Sequence, residues 1–326
     1  MVHSKLFDVF NGDADGIIAR HQYRLVHPAP TTQITGVKRD VSLLEQLAGN
    51  AAVSAGDQIF VFDISFDANH AAAANLLARG VFIHWFDHHR ADHLAAHPNL
   101  VAHIDTSAGT CTSLIVDKLI NGVYRQWAIA AAYGDNFLEQ AGLLAMDEKL
   151  SADQSQALQQ LGEVINYNAY GDSVEDLLVA PAALADYLRP YQSPFEFISQ
   201  APLFRTLADG FADDMAACVQ IEAAYADETV AAYVLPAGAR SSRISGTFAN
   251  HCARDFPKRA HIVATANATG TYTVSLRAPG NQPVGADLIA AQFGGGGRKT
   301  AAGINVLPMA KLDELIAITR VTYARL

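Results

Sequence analysis

The stretch QIFVFDISFDANHAAAANLLARGVFIHWFDHHR, residues 58–90, decides the fold. QIFVFDI (58–64) is a short, continuous apolar run of the kind a strand covered on both faces requires. An alanine-rich helical segment, 67–78, follows it, and VFIHWF (81–86) is a second buried strand. The same alternation extends outward. Upstream, LFDVF (6–10) reads as a strand, Asp15 to Val26 as a helix and QITGV (33–37) as another strand, with Ser42 capping a helix after it. Downstream, LVAHI (100–104) is a fifth strand, and residues 110–121 and 125–133 read as helical. Strands alternating with helices predict an α/β, doubly wound parallel sheet.

Residues 136–230 carry no comparable strand signal and read as mostly helical, with the proline-bearing PYQSPFEF (190–197) ending the first domain. A second α/β segment follows. Its expected strands are AAYVL (231–235), HIVATA (261–266), TYTVSL (271–276) and INVL (304–307), with helices near 245–254, 285–293 and 309–325. The organisation expected is a first domain over 1–190, a helical connector over 191–229, and a smaller α/β domain with a mixed sheet over 230–326. A chain of 326 residues accommodates this, at roughly 100–200 residues per domain.

Half of the residues are hydrophobic and the formal net charge is −10. That balance disfavours long nucleic acid, whose binding is driven by Lys and Arg neutralising phosphates. A small anionic substrate needs only a local basic pocket. Cys111, Cys218 and Cys252 form no CxxC pattern and read as buried small hydrophobes. The N-terminal residues lack a signal-peptide core and no run approaches a membrane span, so a cytoplasmic location is expected.

The acidic residues cluster by position. Asp13 and Asp15 follow the first strand, Asp63 ends the third, and Asp87 follows the fourth, with His88, His89 and Arg90 behind it. In an open parallel sheet, ligands bind outside the carboxyl ends of the strands. Three strands therefore deliver four Asp and two His to one edge. Carboxylates so crowded repel unless some are protonated or a cation intervenes. Mixed Asp and His ligands suit an octahedral ion such as Mn²⁺, and two ions can bind a phosphate and activate a water between them.

FNGDADG (10–16), VFDIS (61–65), FDHHR (86–90) and YGD (133–135) resemble the four motifs of the DHH phosphoesterases. VSLRAPG (274–280) and GGGGRKTAAG (294–303) resemble the paired motifs of the DHH-associated C-terminal domain. The resemblance spans nearly the whole chain except its helical middle. It implies a DHH metal-binding catalytic domain joined to a substrate-binding domain, with the active site in the interdomain cleft. Two divalent ions are implied, Mn²⁺ before Mg²⁺. Their ligands would be Asp13, Asp15, Asp63, His88 and Asp135, with Asp63 bridging. Asp87 would be a ligand or would orient His88, and His89 would act on the departing oxygen or stabilise the phosphate. Substrate would meet Arg90, Arg277, Gly294, Gly295, Gly296, Gly297, Arg298 and Lys299, with Asn11 and Arg243 as further candidates.

Two positions depart from the pattern. Many small-nucleotide members have His where this chain has Val9, and the first motif is closer to the RecJ type. Arg298 stands where the glycine motif normally carries His, keeping a positive charge with bidentate reach. The function expected is hydrolysis of short oligonucleotides or linear dinucleotides of the pGpG kind, as in nano-RNases. Nucleotide phosphatase, cyclic dinucleotide phosphodiesterase and pyrophosphatase activities are the alternatives within the family, the last disfavoured by the glycine motif. A nucleotide-binding regulator without catalysis is the alternative from another class. The expected partner is a short nucleotide, with no membrane and a homodimer allowed.

Overall fold

The computed structural model describes residues 4–324, and the chain divides into two compact units between Ala208 and Asp209. The first unit contains β1 (Leu6–Phe10), α1 (Ala14–Val26), β2 (Thr32–Thr35), α2 (Glu45–Ala48), β3 (Gln58–Phe62), α3 (Phe66–Ala78), β4 (Phe82–Asp87) and β5 (Leu100–Ile104). Then come α4 (Thr112–Leu119), α5 (Arg125–Gly134), α6 (Leu138–Asp147), α7 (Ala152–Asn168), α8 (Pro181–Leu188) and α9 (Pro194–Gln200), followed by α10 (Pro202–Cys218), which the two units share. The division between units falls inside α10, within the stretch read as a connector.

The strands form one parallel sheet in the order β2-β1-β3-β4-β5. Side chains alternate between its faces. Phe7, Val9, Ile59, Val61, Ile83 and Trp85 pack with Leu47, Ala73 and Leu76 of α2 and α3. On the opposite face the Tyr23 ring of α1 meets Phe60, Phe62 and Phe86 at centroid distances of 5.4, 5.6 and 5.2 Å. Covering both faces explains why the strands read as continuous apolar runs. His84 stacks on Phe60 and His103 on Phe86, in keeping with their reading as strand residues.

One expectation fails. Ser42 caps nothing: α2 begins at Glu45, its N-cap is Leu44, and no side chain caps it. Asn69 of α3 governs this segment instead. Its Oδ1 accepts from the Leu44 backbone N–H and its Nδ2 donates to the Val41 and Ser65 carbonyls. The buried amide from a distant helix outcompetes the local hydroxyl, and only one helical turn forms.

The second unit contains β6 (Tyr225–Ala226), β7 (Val230–Leu235), α11 (Ala239–Asp255), β8 (Ala260–Ala266), β9 (Thr271–Arg277), α12 (Ala286–Ala291), β10 (Gly296–Gly297), β11 (Ala301–Pro308) and α13 (Leu312–Ala324). Its sheet runs β10-β11-β9-β8-β7-β6 and is mixed, β7 and β8 being parallel and the other pairs antiparallel. All three cysteines are free and buried. Among the described residues, no helix is long and apolar enough to cross a membrane.

Candidate metal centre

The carboxyl ends of β1, β3 and β4 bring Asp13, Asp15, Asp63, Asp87, His88 and His89 together. Asp135 joins them from the C-terminus of α5. Its approach depends on two glycines: a Cβ on Gly134 would lie 2.7 Å from the Gly162 carbonyl, and one on Gly162 would lie 2.0 Å from that of Ala130. Small residues at this α5–α7 crossing let Asp135 reach the sheet edge.

Each carboxylate is held by identifiable bonds. Asp13 is the N-cap of α1 and accepts from the Gly16 N–H at 3.0 Å. Asp15 lies against the start of α4, accepting from the Thr112 and Ser113 N–H groups at 2.7 Å each. Asp63 follows β3 with a φ of 56°, a left-handed conformation that Asp and Asn tolerate better than other side-chain-bearing residues. Its N–H donates to the Phe86 carbonyl, and its Oδ1 accepts from the Thr112 hydroxyl at 3.0 Å. The kink after the ladder turns the carboxylate toward α4.

The histidines are polarised. His88 Nδ1 lies 2.9 Å from the Thr110 carbonyl, which can only accept. Nδ1 therefore carries the proton, and the Nε2 lone pair faces Asp63 at 3.5 Å and Asp135 at 3.8 Å. His89 Nδ1 meets Asp87 Oδ1 at 2.6 Å, and that oxygen also accepts the His88 N–H. Asp87 thus orients the ring of His89, not that of His88. Burial disfavours the charged His89 ring, but the bond and charge of Asp87 outweigh it and raise the pKa.

The charges do not balance. Burial first, then the charges of Asp15, Asp13, Asp87 and Asp135, push the Asp63 carboxyl well above its usual range. Burial also leads in raising Asp15. Asp13 goes the other way: burial raises it, but the Lys38 ammonium prevails and holds it below the ordinary value. Asp13 thus leans toward its charged form beside Lys38, while Asp63 is pushed toward its neutral form by burial and the carboxylates around it. Asp87 Oδ2 is buried without a partner.

A divalent cation fits these deficits. It would face the His88 lone pair and relieve the crowded carboxylates. Ligand atoms of Asp63, His88 and His89 lie within 4.8 Å of one another, as do those of Asp15, His88 and Asp135. An oxygen-rich set with imidazole and no thiolate suits Mn²⁺ or Mg²⁺. Burial first, then the charges of Asp15 and Asp135, push the neighbouring Cys111 thiol well up.

Lys38, Thr112 and Asn166 belong to the site and did not stand out in the sequence. Lys38 Nζ lies 2.5 Å from Asp13 Oδ2, 3.1 Å from Asn166 Oδ1 and 3.6 Å from Asp135 Oδ1. Asn11 supports this arrangement, its Oδ1 accepting from the Asp13 N–H and its Nδ2 donating to the Lys38 carbonyl.

The other candidates make different contacts. Arg90 is exposed and pairs with Asp92 at 2.6 Å. Arg277 donates to Asn250 Oδ1 and to the Gly246 and Leu276 carbonyls. Arg243, with Arg240, pairs with Asp214. The glycine run is a hairpin arm: Gly296 and Gly297 pair with Gly303 and Ala302, and Arg298 exchanges backbone bonds with Ala301. A Cβ on Gly295 would strike the Gly303 carbonyl at 2.2 Å, while Gly297 has a φ of +146°. Packing explains these two glycines. Gly296 has open space and no positive φ, so the hairpin itself gives no reason for its missing side chain.

No family model and no curated protein matches the sequence. Solved structures do match in shape. RecJ exonuclease bound to manganese superposes with a TM-score of 0.62 at 15% identity, covering 99% of this chain and 90% of that one. The chain has the DHH fold. A DHH-domain protein described as a member of a family of ribosomal proteins gives a TM-score of 0.61 at 12% identity, over 99% and 87% of the two chains. PggH, a pGpG-specific phosphodiesterase from Vibrio cholerae, gives 0.59 at 12% identity and 99% of both chains.

Proposed function

We propose that this chain is a metal-dependent phosphodiesterase that cleaves short oligonucleotides or linear dinucleotides of the pGpG kind to mononucleotides. The observation that carries the reading is the His88 Nε2 lone pair set among Asp63, Asp15 and Asp135, an arrangement that is repulsive without a cation. The DHH fold shared with RecJ and PggH supports it.

Asp15, Asp63, His88 and Asp135 would hold the ion, with Asp13 and Asp87 beside them. A divalent ion supplies positive charge to a phosphoryl oxygen and acidifies a bound water. The chain's own residues do the rest. Asp87 fixes His89 through Nδ1, which leaves Nε2 to give its proton to the departing oxygen. Its raised pKa favours the protonated ring. Thr112 and the first N–H groups of α4 hold Asp63 and Asp15 in position. In the second unit, the arm around Gly296 with Arg298 and Lys299 binds the base or a terminal phosphate.

Purified protein incubated with pGpG, other dinucleotides, cyclic dinucleotides and short RNAs should yield mononucleotides from the linear dinucleotides with Mn²⁺. Chelator should stop the reaction. Dinucleotides left intact in every metal condition overturn the reading. Cleavage confined to cyclic dinucleotides, or phosphate release confined to mononucleotides, would replace it with the cyclic dinucleotide phosphodiesterase or the nucleotide phosphatase reading respectively.

A further inference from the structure

Building on the metal-site reading above, we propose that the Lys38 ammonium is a permanent cation of this centre, occupying what would be a second metal position, so that the folded chain holds a single divalent ion. Lys38 Nζ has oxygen neighbours from three elements: Asp13 at the start of α1, Asn166 in α7 and Asp135 at the end of α5. Its backbone is fixed on both sides, the N–H donating to the Ala169 carbonyl and the carbonyl accepting from Asn11 Nδ2. The side chain is 24% exposed, so the charge is largely enclosed.

The remaining ligands suffice for one ion. Asp13 belongs to neither candidate ligand group. One of its oxygens is taken by Lys38 and the other by the Gly16 N–H. The two groups that do exist share His88. His88 has committed Nδ1 to the Thr110 carbonyl, so only one lone pair is left between them. A single imidazole nitrogen binds a single ion, so His88 can complete only one of the two groups at a time. Val9, within the first strand beside this edge, is fully buried and has no ligand atom to build another.

A fixed ammonium differs from a metal in ways that matter here. It cannot be chelated away, and it has no open coordination position for water. It neutralises Asp13 whether or not the other position is filled. The charge near the phosphate would then come from one exchangeable ion and one residue of the chain.

Manganese stoichiometry tests this without reference to turnover. Metal-free protein is loaded with Mn²⁺, passed through a desalting column and assayed for metal per chain, with electron paramagnetic resonance on the same samples. The expected result is one Mn²⁺ per chain with the spectrum of an isolated ion. Lys38→Met should rise to two per chain with a spin-coupled spectrum, and Lys38→Arg should stay at one. Two ions in the unsubstituted chain, or one in a folded Lys38→Met, overturns the proposal. Should Lys38→Met fail the circular dichroism check for folding, Lys38→Gln takes its place, and the unsubstituted count decides if both fail. A chain that binds no Mn²⁺ at all removes the metal reading itself. A chain with two ions removes only the role of Lys38.

Discussion

Asp8 and Asp63 are both buried carboxylates of the parallel sheet, 0% and 3% exposed, and their surroundings treat them oppositely. Asp8, in mid-strand on the α1 face, accepts from Arg20 at 2.8 Å, from Arg24 at 2.5 Å and from the Thr31 hydroxyl at 2.8 Å. Asp63, beyond the strand end, faces Asp13, Asp15, Asp87 and Asp135, and the Lys38 ammonium contacts only Asp13 and Asp135 among them. One sheet therefore neutralises a buried charge fully where structure is the purpose. It leaves several short of compensation at the edge where parallel sheets bind ligands. The contrast separates an internal ion pair from a receptor for an external cation.

Substitutions should separate the two centres cleanly. Asp63→Asn should lower kcat/KM by roughly 10³-fold or more, a loss of about 4 kcal/mol in transition-state stabilisation. It should not lower the melting temperature of the metal-free protein, because it removes a repelled charge and Asn accepts the same backbone bend. A lower melting temperature would mean that Asp63 is structural after all. Asp8→Ala should do the reverse, costing about 3–5 kcal/mol in urea unfolding by leaving two guanidinium groups without their buried partner. Activity per folded molecule should be retained.

A third test concerns a buried base of α1, next in sequence to Arg20. His21 is buried, bonds to the Tyr191 carbonyl through Nε2, and has its pKa pushed down to about 4 by burial. The unfolded chain takes up a proton near 6.5 that the folded chain resists. Its contribution is therefore intact above pH 6.5 and is lost as pH falls through about 4. The loss amounts to about 3 kcal/mol, at roughly 1.36 kcal/mol per pH unit. Urea midpoints at pH 7 and pH 4 should show that much less acid sensitivity in His21→Gln. An unchanged difference between the two pH values would refute the assignment. The smallest effect is expected in the second unit, where Arg298→Ala should raise KM by about tenfold with little change in kcat, the pattern of lost uniform binding.

Much of the fold was legible because the first unit's strands are covered on both faces and declare themselves as apolar runs. LVAHI at 100–104 coincides with β5, and the helix expected over 67–78 begins one residue earlier. The failed capping role of Ser42 shows the limit: Asn69, 27 residues further on, decides that segment through tertiary bonds. The site follows the same division. Asp13, Asp15, Asp63 and Asp87 could be placed together because each adjoins a strand end. Lys38 follows β2 on the same edge, so the strand-end rule applied to cations as well would have flagged it. Asn166 and Thr112 sit on helices without any motif, and only the packing of α4 and α7 reveals them.

The backbone at Asp63 carries a consequence for anyone who rebuilds this centre. Its left-handed φ and its carboxylate are inherited as a unit. A library randomised at position 63 would be filtered twice, once for a backbone that few residues besides Gly, Asn and Asp adopt readily, and once for chemistry. Glu, which keeps the charge, meets the backbone filter poorly, while Asn passes it without the charge. The number of workable amino acids there is therefore close to one, and a change of metal or substrate preference would have to come from neighbouring positions.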